Sequence, residues 1–202
     1  LPGGDAAIER PARTALSLLW SRGKEWEEWL APAQDLCHEE KMALRVQLER
    51  GLNAPMTSSM GRLFDAAAAL AGVRQRVNHE AQAAIEFEAA CDPDEETAYQ
   101  FEVWSEGIDA RPAVLALLAD VRAGIAIPKI SARFHQAVAE MVCQVCAQAR
   151  KSTGSNEVAL SGGVWQNLVL TRKAISLLQS NGFEVLIHHQ VPANDGGVAL
   201  GQ

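Results

Sequence analysis

Val158-Ala159-Leu160-Ser161-Gly162-Gly163-Val164-Trp165-Gln166-Asn167 opens the stretch whose reading decides the fold. A helical apolar pattern follows from Leu168 to Gln179, then a stop at Asn181-Gly182, the run Glu184 to His188, and the turn Asn194-Asp195-Gly196-Gly197. Glu157 to Leu160 and Glu184 to His188 are short apolar runs bounded by turn residues, which reads as two strands. Strand, helix, strand in that order predicts a parallel β–α–β unit. The loops after the two strands should then be neighbours beyond the strands' carboxyl ends, where open parallel sheets collect ligands.

Each loop carries chemistry. Glycines between a strand and a helix let backbone come close to a phosphate or ribose, and a helix N-terminus favours negative charge there. Gly162 and Gly163 are placed for that. Asn167 is expected about one turn into the following helix, with its amide available to a ligand. Asp195 offers a hard oxygen ligand, suited to a divalent cation that carries a nucleotide phosphate. A plain tight turn and an aspartate helix cap account for the same residues. Neither loop is a Walker loop or a GxGxxG fingerprint. The pair of loops is more telling than either one, and it points to a nucleotide-phosphate and metal site.

A third candidate lies upstream. Thr57-Ser58-Ser59 offers N-caps for an apolar helix from Gly61 to about Leu70, with Gly72 as its stop. Asp65 follows Gly61 by one turn on the same face. Its carboxylate could accept hydrogen bonds from ribose hydroxyls, and Arg62 could pair with Asp65 or with phosphate. A capped amphipathic helix with a surface ion pair fits the same spacing.

Elsewhere the chain reads mostly as helix. Leu1 to Pro11 looks irregular, and a helix is expected from about Ala12 to Arg22. Pro32 should break the chain, with Asp35 capping a helix from Leu36 to Arg50. Further helices are expected over Glu80–Ala90, from Pro112 to Ala123, and over Ile130–Lys151. Asp92 to Glu96 reads as an acidic surface loop, and Tyr99 to Trp104 as a strand.

Composition excludes some classes. There are 18 basic residues against 25 acidic, a net charge of −7, and the basic ones are scattered. Long nucleic acid needs many local cations, so it is not an expected partner. No apolar run reaches the roughly 18 residues that cross a bilayer. The N-terminal stretch lacks the basic and apolar regions of a signal peptide, and the expected compartment is the cytoplasm. Cys143 and Cys146 form a lone C-x-x-C. With no second pair to complete a zinc site, they read as one buried helix face. The histidines, including adjacent His188 and His189, read as structural or surface residues.

Six motifs taken together resemble the hydrogenase maturation carbamoyltransferase (HypF) family. They are Leu1-Pro2-Gly3-Gly4-Asp5-Ala6-Ala7-Ile8, Leu52-Asn53-Ala54-Pro55, the stretch Thr57 to Ala66, Glu80-Ala81-Gln82-Ala83-Ala84, Leu160 to Val164 with Asn167, and Pro192 to Gly197 with Leu200-Gly201-Gln202. The similarity covers essentially the whole chain. It implies an α/β fold: the helix-rich second lobe of a tRNA-threonylcarbamoyl-transferase-like domain, with a small mixed sheet. That domain belongs to the actin-like, sugar-kinase (ribonuclease H-like) ATPase superfamily. The family's first lobe, with its H-x-x-x-H metal pair, and its acylphosphatase, zinc and adenylate-forming domains have no counterpart in these 202 residues.

The resemblance also implies a mechanism. Carbamoyl phosphate and ATP become carbamoyl-adenylate in the other domains. This domain passes the carbamoyl group to the C-terminal cysteine of the partner HypE, where it later becomes a cyanide ligand of the nickel–iron centre. By matched position, Gly162, Gly163 and Asn167 contact adenosine. Asp65 holds the ribose, Gly61 allows close approach, and Glu80 belongs to the same wall. Asp195 ligates a divalent metal (magnesium, zinc or iron) completed by histidines outside this chain. The segment by itself is expected to show little or no transfer activity. One departure stands out: the family usually has Glu-Gly-Gln where this chain has Glu80-Ala81-Gln82.

Two alternatives remain open at this level. One is a related O-carbamoyltransferase or tRNA threonylcarbamoyl transferase, against which Ala66 and the acidic charge argue. The other is a non-catalytic interaction module that docks through Trp20, Trp26 and Trp29.

Overall fold

The computed structural model describes residues 1–196. Gly197, the helix expected beyond it, and Leu200-Gly201-Gln202 lie outside the described residues. In chain order the elements are α1 (Asp5–Glu9), α2 (Pro11–Ser21), α3 (Ala31–Asp35), α4 (His38–Arg50), α5 (Met60–Leu70) and α6 (Gln82–Ala89). Then come β1 (Glu102–Trp104), β2 (Gly107–Asp109), α7 (Arg111–Arg122) and α8 (Ile127–Thr153). The last are β3 (Glu157–Leu160), a 3-10 turn (Gly163–Gln166), α9 (Leu168–Ser180) and β4 (Glu184–Ile187). No helix among the described residues is long and apolar enough to cross a membrane. The chain forms two compact units, Leu1–Asp92 with Leu117–Ser131, and Pro93–Ala116 with Ala132 onward.

The first unit is built on alanine. α5 packs on both α2 and α6. Ala66, Ala67, Ala68 and Ala69 are all buried, as are Ala12 and Ala15 of α2. Alanine keeps full helix propensity and has no side chain to hold the backbones apart. Phe64, Leu16 and Leu19 fill the remaining space, at about 1.5–3 kcal/mol for each side chain buried.

Three local expectations are corrected here. Leu1 to Pro11 is not wholly irregular, because Asp5–Glu9 is helical. The break falls at Arg10, which leaves helical geometry (φ −128, ψ 83) because Pro11 disfavours it there. Pro32 does not break the chain. It sits in the first turn of α3, where a missing N–H costs nothing. Asp35 caps no helix; it ends α3 and pairs with Arg10 and Arg76, each at 3.1 Å. The cap position of α4 belongs to Cys37, whose backbone N–H donates to Glu40 at 3.1 Å. Arg10 also donates to Glu40 and holds its carboxyl at about 2.

The second unit contains both strand pairs. β1 and β2 form an antiparallel hairpin. β3 and β4 pair in parallel, in register from Glu157↔Glu184 to Leu160↔Ile187. The expected sheet is thus realised as two separate two-stranded ribbons among the described residues. Under the parallel pair sit Leu160, Leu178 and Phe183, with Val142, Cys143, Cys146 and Trp165 packed against them. Burial pushes both thiols above their ordinary value, as a structural helix face requires. Glu95 is not a surface residue of its acidic loop. Its side chain is 9% exposed and pairs with Arg133 at 3.1 Å.

Ala81 is the conspicuous backbone feature. It adopts φ 61, ψ 6 as the N-cap of α6, a left-handed conformation that favours glycine. A glycine at this position would adopt the same backbone without strain. Replacing Ala81→Gly should stabilise the protein by about 1 kcal/mol, read as a raised midpoint of thermal unfolding. An unchanged or lower midpoint would show that the turn carries no strain.

Candidate functional site

The sequence-predicted residues fall into two groups, one in each unit. In the second unit, β3 ends at Leu160 and the chain turns through Gly162, at φ 106 and ψ 160. Only glycine enters that region without strain. The Gly162 N–H donates to the Ala193 carbonyl at 2.7 Å. The loops after β3 and β4 are therefore neighbours, as the parallel unit demanded. A Cβ built on Gly163 would lie 3.8 Å from that of Asn194, an ordinary contact. Backbone conformation thus requires glycine at 162, where a Cβ would meet nothing within 4 Å, and neither backbone nor packing requires it at 163.

Asn167 is placed differently from the expectation. It is not a turn into the helix; it is the N-cap of α9, after a 3-10 turn that uses up Gly163–Gln166. Its Oδ1 accepts from the Leu170 backbone N–H at 2.8 Å. That fixes the amide's orientation, so Nδ2 is the group 2.9 Å from His135 Nε2. The His135 nitrogen must accept, which puts the ring's proton on Nδ1. His135 is fully buried on α8. Its role could not be read from spacing, since 32 residues separate it from Asn167.

Asp195 is exposed on the turn after β4. Asn194 Oδ1 accepts from the Gly196 N–H at 3.0 Å and shapes that turn. Among the described residues no group of three His, Cys, Asp or Glu side chains could hold a metal. Asp195 fits a hard cation as a single carboxylate ligand. His188, at the end of β4, points its Nε2 to Ser161 Oγ at 3.0 Å.

In the first unit, Ser59 caps α5 by accepting from the Arg62 N–H at 3.4 Å. Arg62 then bridges two carboxylates. Its Nη1 donates to Asp65 Oδ2 at 2.8 Å and its Nη2 to Glu80 Oε1 at 3.1 Å. Asp65 is buried, and burial pushes its carboxyl above the ordinary value. Arg62 opposes that shift, with help from the Ala84 backbone N–H in the first turn of α6. Ala81 gives α6 no side-chain cap, so Asp65 has a structural task beside any contact with a ligand. A Cβ on Gly61 would lie 3.7 Å from Ser59 Oγ, again an ordinary contact. The Gly3 N–H donates to Asn53 O at 2.7 Å, which joins two of the six sequence motifs.

The tryptophans do not form one exposed cluster. Trp26 is buried and its indole donates to Leu16 O at 2.8 Å. Trp20 is exposed, and the Trp29 indole donates to Glu27.

These features define a class: a helix-rich α/β lobe with a glycine turn and an aspartate turn held together at the carboxyl ends of two parallel strands. Over residues 1–202 the chain matches the family described as carbamoyltransferase, Kae1-like domain, second subdomain, and it belongs to that family. Carbamoyltransferase HypF of Rhizobium leguminosarum bv. viciae is 36% identical over all of this chain and 26% of its own length. Carbamoyltransferase HypF of a Synechocystis strain is 33% identical over all of this chain and 28% of its own. This chain thus spans about a quarter of the length of those relatives. The crystal structure of full-length HypF in the phosphate- and nucleotide-bound form superposes with a TM-score of 0.93 at 37% identity. It is matched over 100% of this chain and 27% of its own. For HypF of T. kodakarensis the TM-score is 0.82 at 26% identity, over 100% of this chain and 28% of its own. The fold is therefore the actin-like one of that family.

Replacing Asn167→Ala removes the α9 cap and the partner of His135 together. The expected loss is about 1–2 kcal/mol, measured by denaturant unfolding. Asn167→Asp keeps the cap oxygen but faces His135 Nε2 with an acceptor, and should recover only part of it. The His135 tautomer itself is checked by the ring nitrogen-15 shifts of the wild type: a proton on Nε2 would contradict the assignment.

Proposed function

We propose that this chain is the nucleotide-holding part of a carbamoyltransferase, which transfers a carbamoyl group from carbamoyl-adenylate to the C-terminal cysteine of HypE. Carbamoyl phosphate and ATP supply the adenylate in other domains of the intact protein. In the transfer, the cysteine thiolate attacks the carbamoyl carbon. A sulfur–carbon bond forms, the carbon–oxygen bond to the phosphate breaks, and AMP leaves with the electron pair. The product serves the cyanide ligands of a nickel–iron hydrogenase.

The observation that carries this reading is the coupling of the two loops, Gly162 N–H to Ala193 O, at the ends of parallel strands. A glycine turn and one carboxylate then stand together beyond the carboxyl ends of parallel strands, where such folds bind nucleotides. Gly162 and Gly163 lie against adenosine or phosphate, and Asn167 holds the turn in shape. Asp195 supplies one oxygen to a divalent cation, whose contribution is charge neutralisation at the phosphates. In the first unit Asp65 and Glu80 offer carboxylate oxygens to ribose hydroxyls, beside Gly61. Support also comes from full-length HypF, whose crystal structure is in a phosphate- and nucleotide-bound form.

Gly61 and Gly163 separate ligand approach from folding, because the protein itself leaves room for a Cβ at both. Gly61→Ala and Gly163→Ala should leave stability within about 0.5 kcal/mol or raise it. Nucleotide affinity of the intact protein, measured by calorimetry, should fall about ten-fold or more, as a methyl group blocks the approach. Unchanged affinity in both variants would remove the glycines from the site.

A further inference from the structure

Arg62 has no ligand role in the reading above, and its surroundings give it a different one. Both terminal nitrogens of its guanidinium are engaged, Nη1 by Asp65 Oδ2 at 2.8 Å and Nη2 by Glu80 Oε1 at 3.1 Å. The Arg62 side chain is 15% exposed and that of Asp65 6%, against 81% for Glu80. The two carboxylates are thus graded outward along one cation. Glu80 Oε2 has no hydrogen-bond partner among the described residues. The trio carries a net charge of −1, which disfavours a phosphate and favours a donor such as a hydroxyl group. Glu80 also precedes the left-handed Ala81, so Arg62 staples a strained turn to α5.

We infer that Arg62 is a positioning residue that presents Glu80 and Asp65 as paired acceptors for the vicinal hydroxyls of a ribose. It selects ribonucleotides over 2′-deoxyribonucleotides without touching either. The guanidinium fork suits this because it can hold two carboxylates at fixed angles, which an ammonium cannot. The inference rests on the nucleotide reading and adds a specificity determinant to it.

The test is the ratio of affinities for ATP and 2′-deoxyATP, measured by calorimetry on the intact protein for the binding that Gly61→Ala weakens, which sets aside ATP held by the adenylate-forming domain. The wild type should favour ATP by about ten-fold or more, because the missing hydroxyl leaves a carboxylate unpaired. Arg62→Met keeps the packing of the stem and loses both donors, and its ratio should fall towards one. Arg62→Lys should recover part of the ratio by holding one carboxylate. A merely structural arginine would weaken both nucleotides equally, so a wild-type ratio in Arg62→Met overturns the inference. If Arg62→Met does not fold, a wild-type ratio in Arg62→Lys overturns it as well. A wild type that binds both nucleotides equally refutes the inference and leaves the nucleotide reading intact. A wild type that binds neither refutes the nucleotide reading, and the inference with it.

Discussion

The 2.7 Å hydrogen bond from the Gly162 amide to the Ala193 carbonyl is the constraint on which the second unit's site depends. It exists because β3 and β4 are parallel and in register, so both chains leave the sheet at the same end. An antiparallel pair would have sent the two loops to opposite ends. The bond also demands the backbone of Gly162, whose φ of 106 is closed to other residues. Sequence, strand direction and loop contact form one causal chain here. The glycine permits the turn, the turn reaches the neighbouring loop, and the neighbouring loop carries Asp195.

The first unit solves a different problem. Asp65 is a carboxylate among alanines, and burying an unpaired charge there would be costly. Arg62 and the Ala84 N–H both offset part of that cost, yet burial still holds the carboxyl above its ordinary value. The same contacts give α6 the cap that Ala81 lacks. Asp65 is therefore structural and chemically poised together. Its partner Glu80, by contrast, is mostly exposed and held at one oxygen only.

Much of this was legible in the sequence. The parallel β–α–β unit followed from two apolar runs around a helical pattern, and the Ser59 cap from the Thr57-Ser58-Ser59 run. What local pattern could not supply were contacts between distant residues. The Arg62–Glu80 bond spans 18 positions and the His135–Asn167 bond 32. Asp35 looked like a helix cap because caps and ion-pair residues share a chemistry; Arg10 and Arg76 decided which it became. The sequence pattern puts Asn167 inside the helix because a 3-10 turn of four residues has no periodic signature of its own. At Ala81 no local pattern signals the left-handed backbone, because alanine is ordinarily a helix former.

The most direct test of the central claim, that the paired loops bind nucleotide phosphate with a metal, is ATP affinity of the intact protein with and without divalent cation. The comparison is between wild type and Asp195→Asn. The account predicts that the cation strengthens wild-type binding by about ten-fold or more, and that Asp195→Asn loses this increment while keeping its cation-free affinity. An increment of the same size in Asp195→Asn would contradict it.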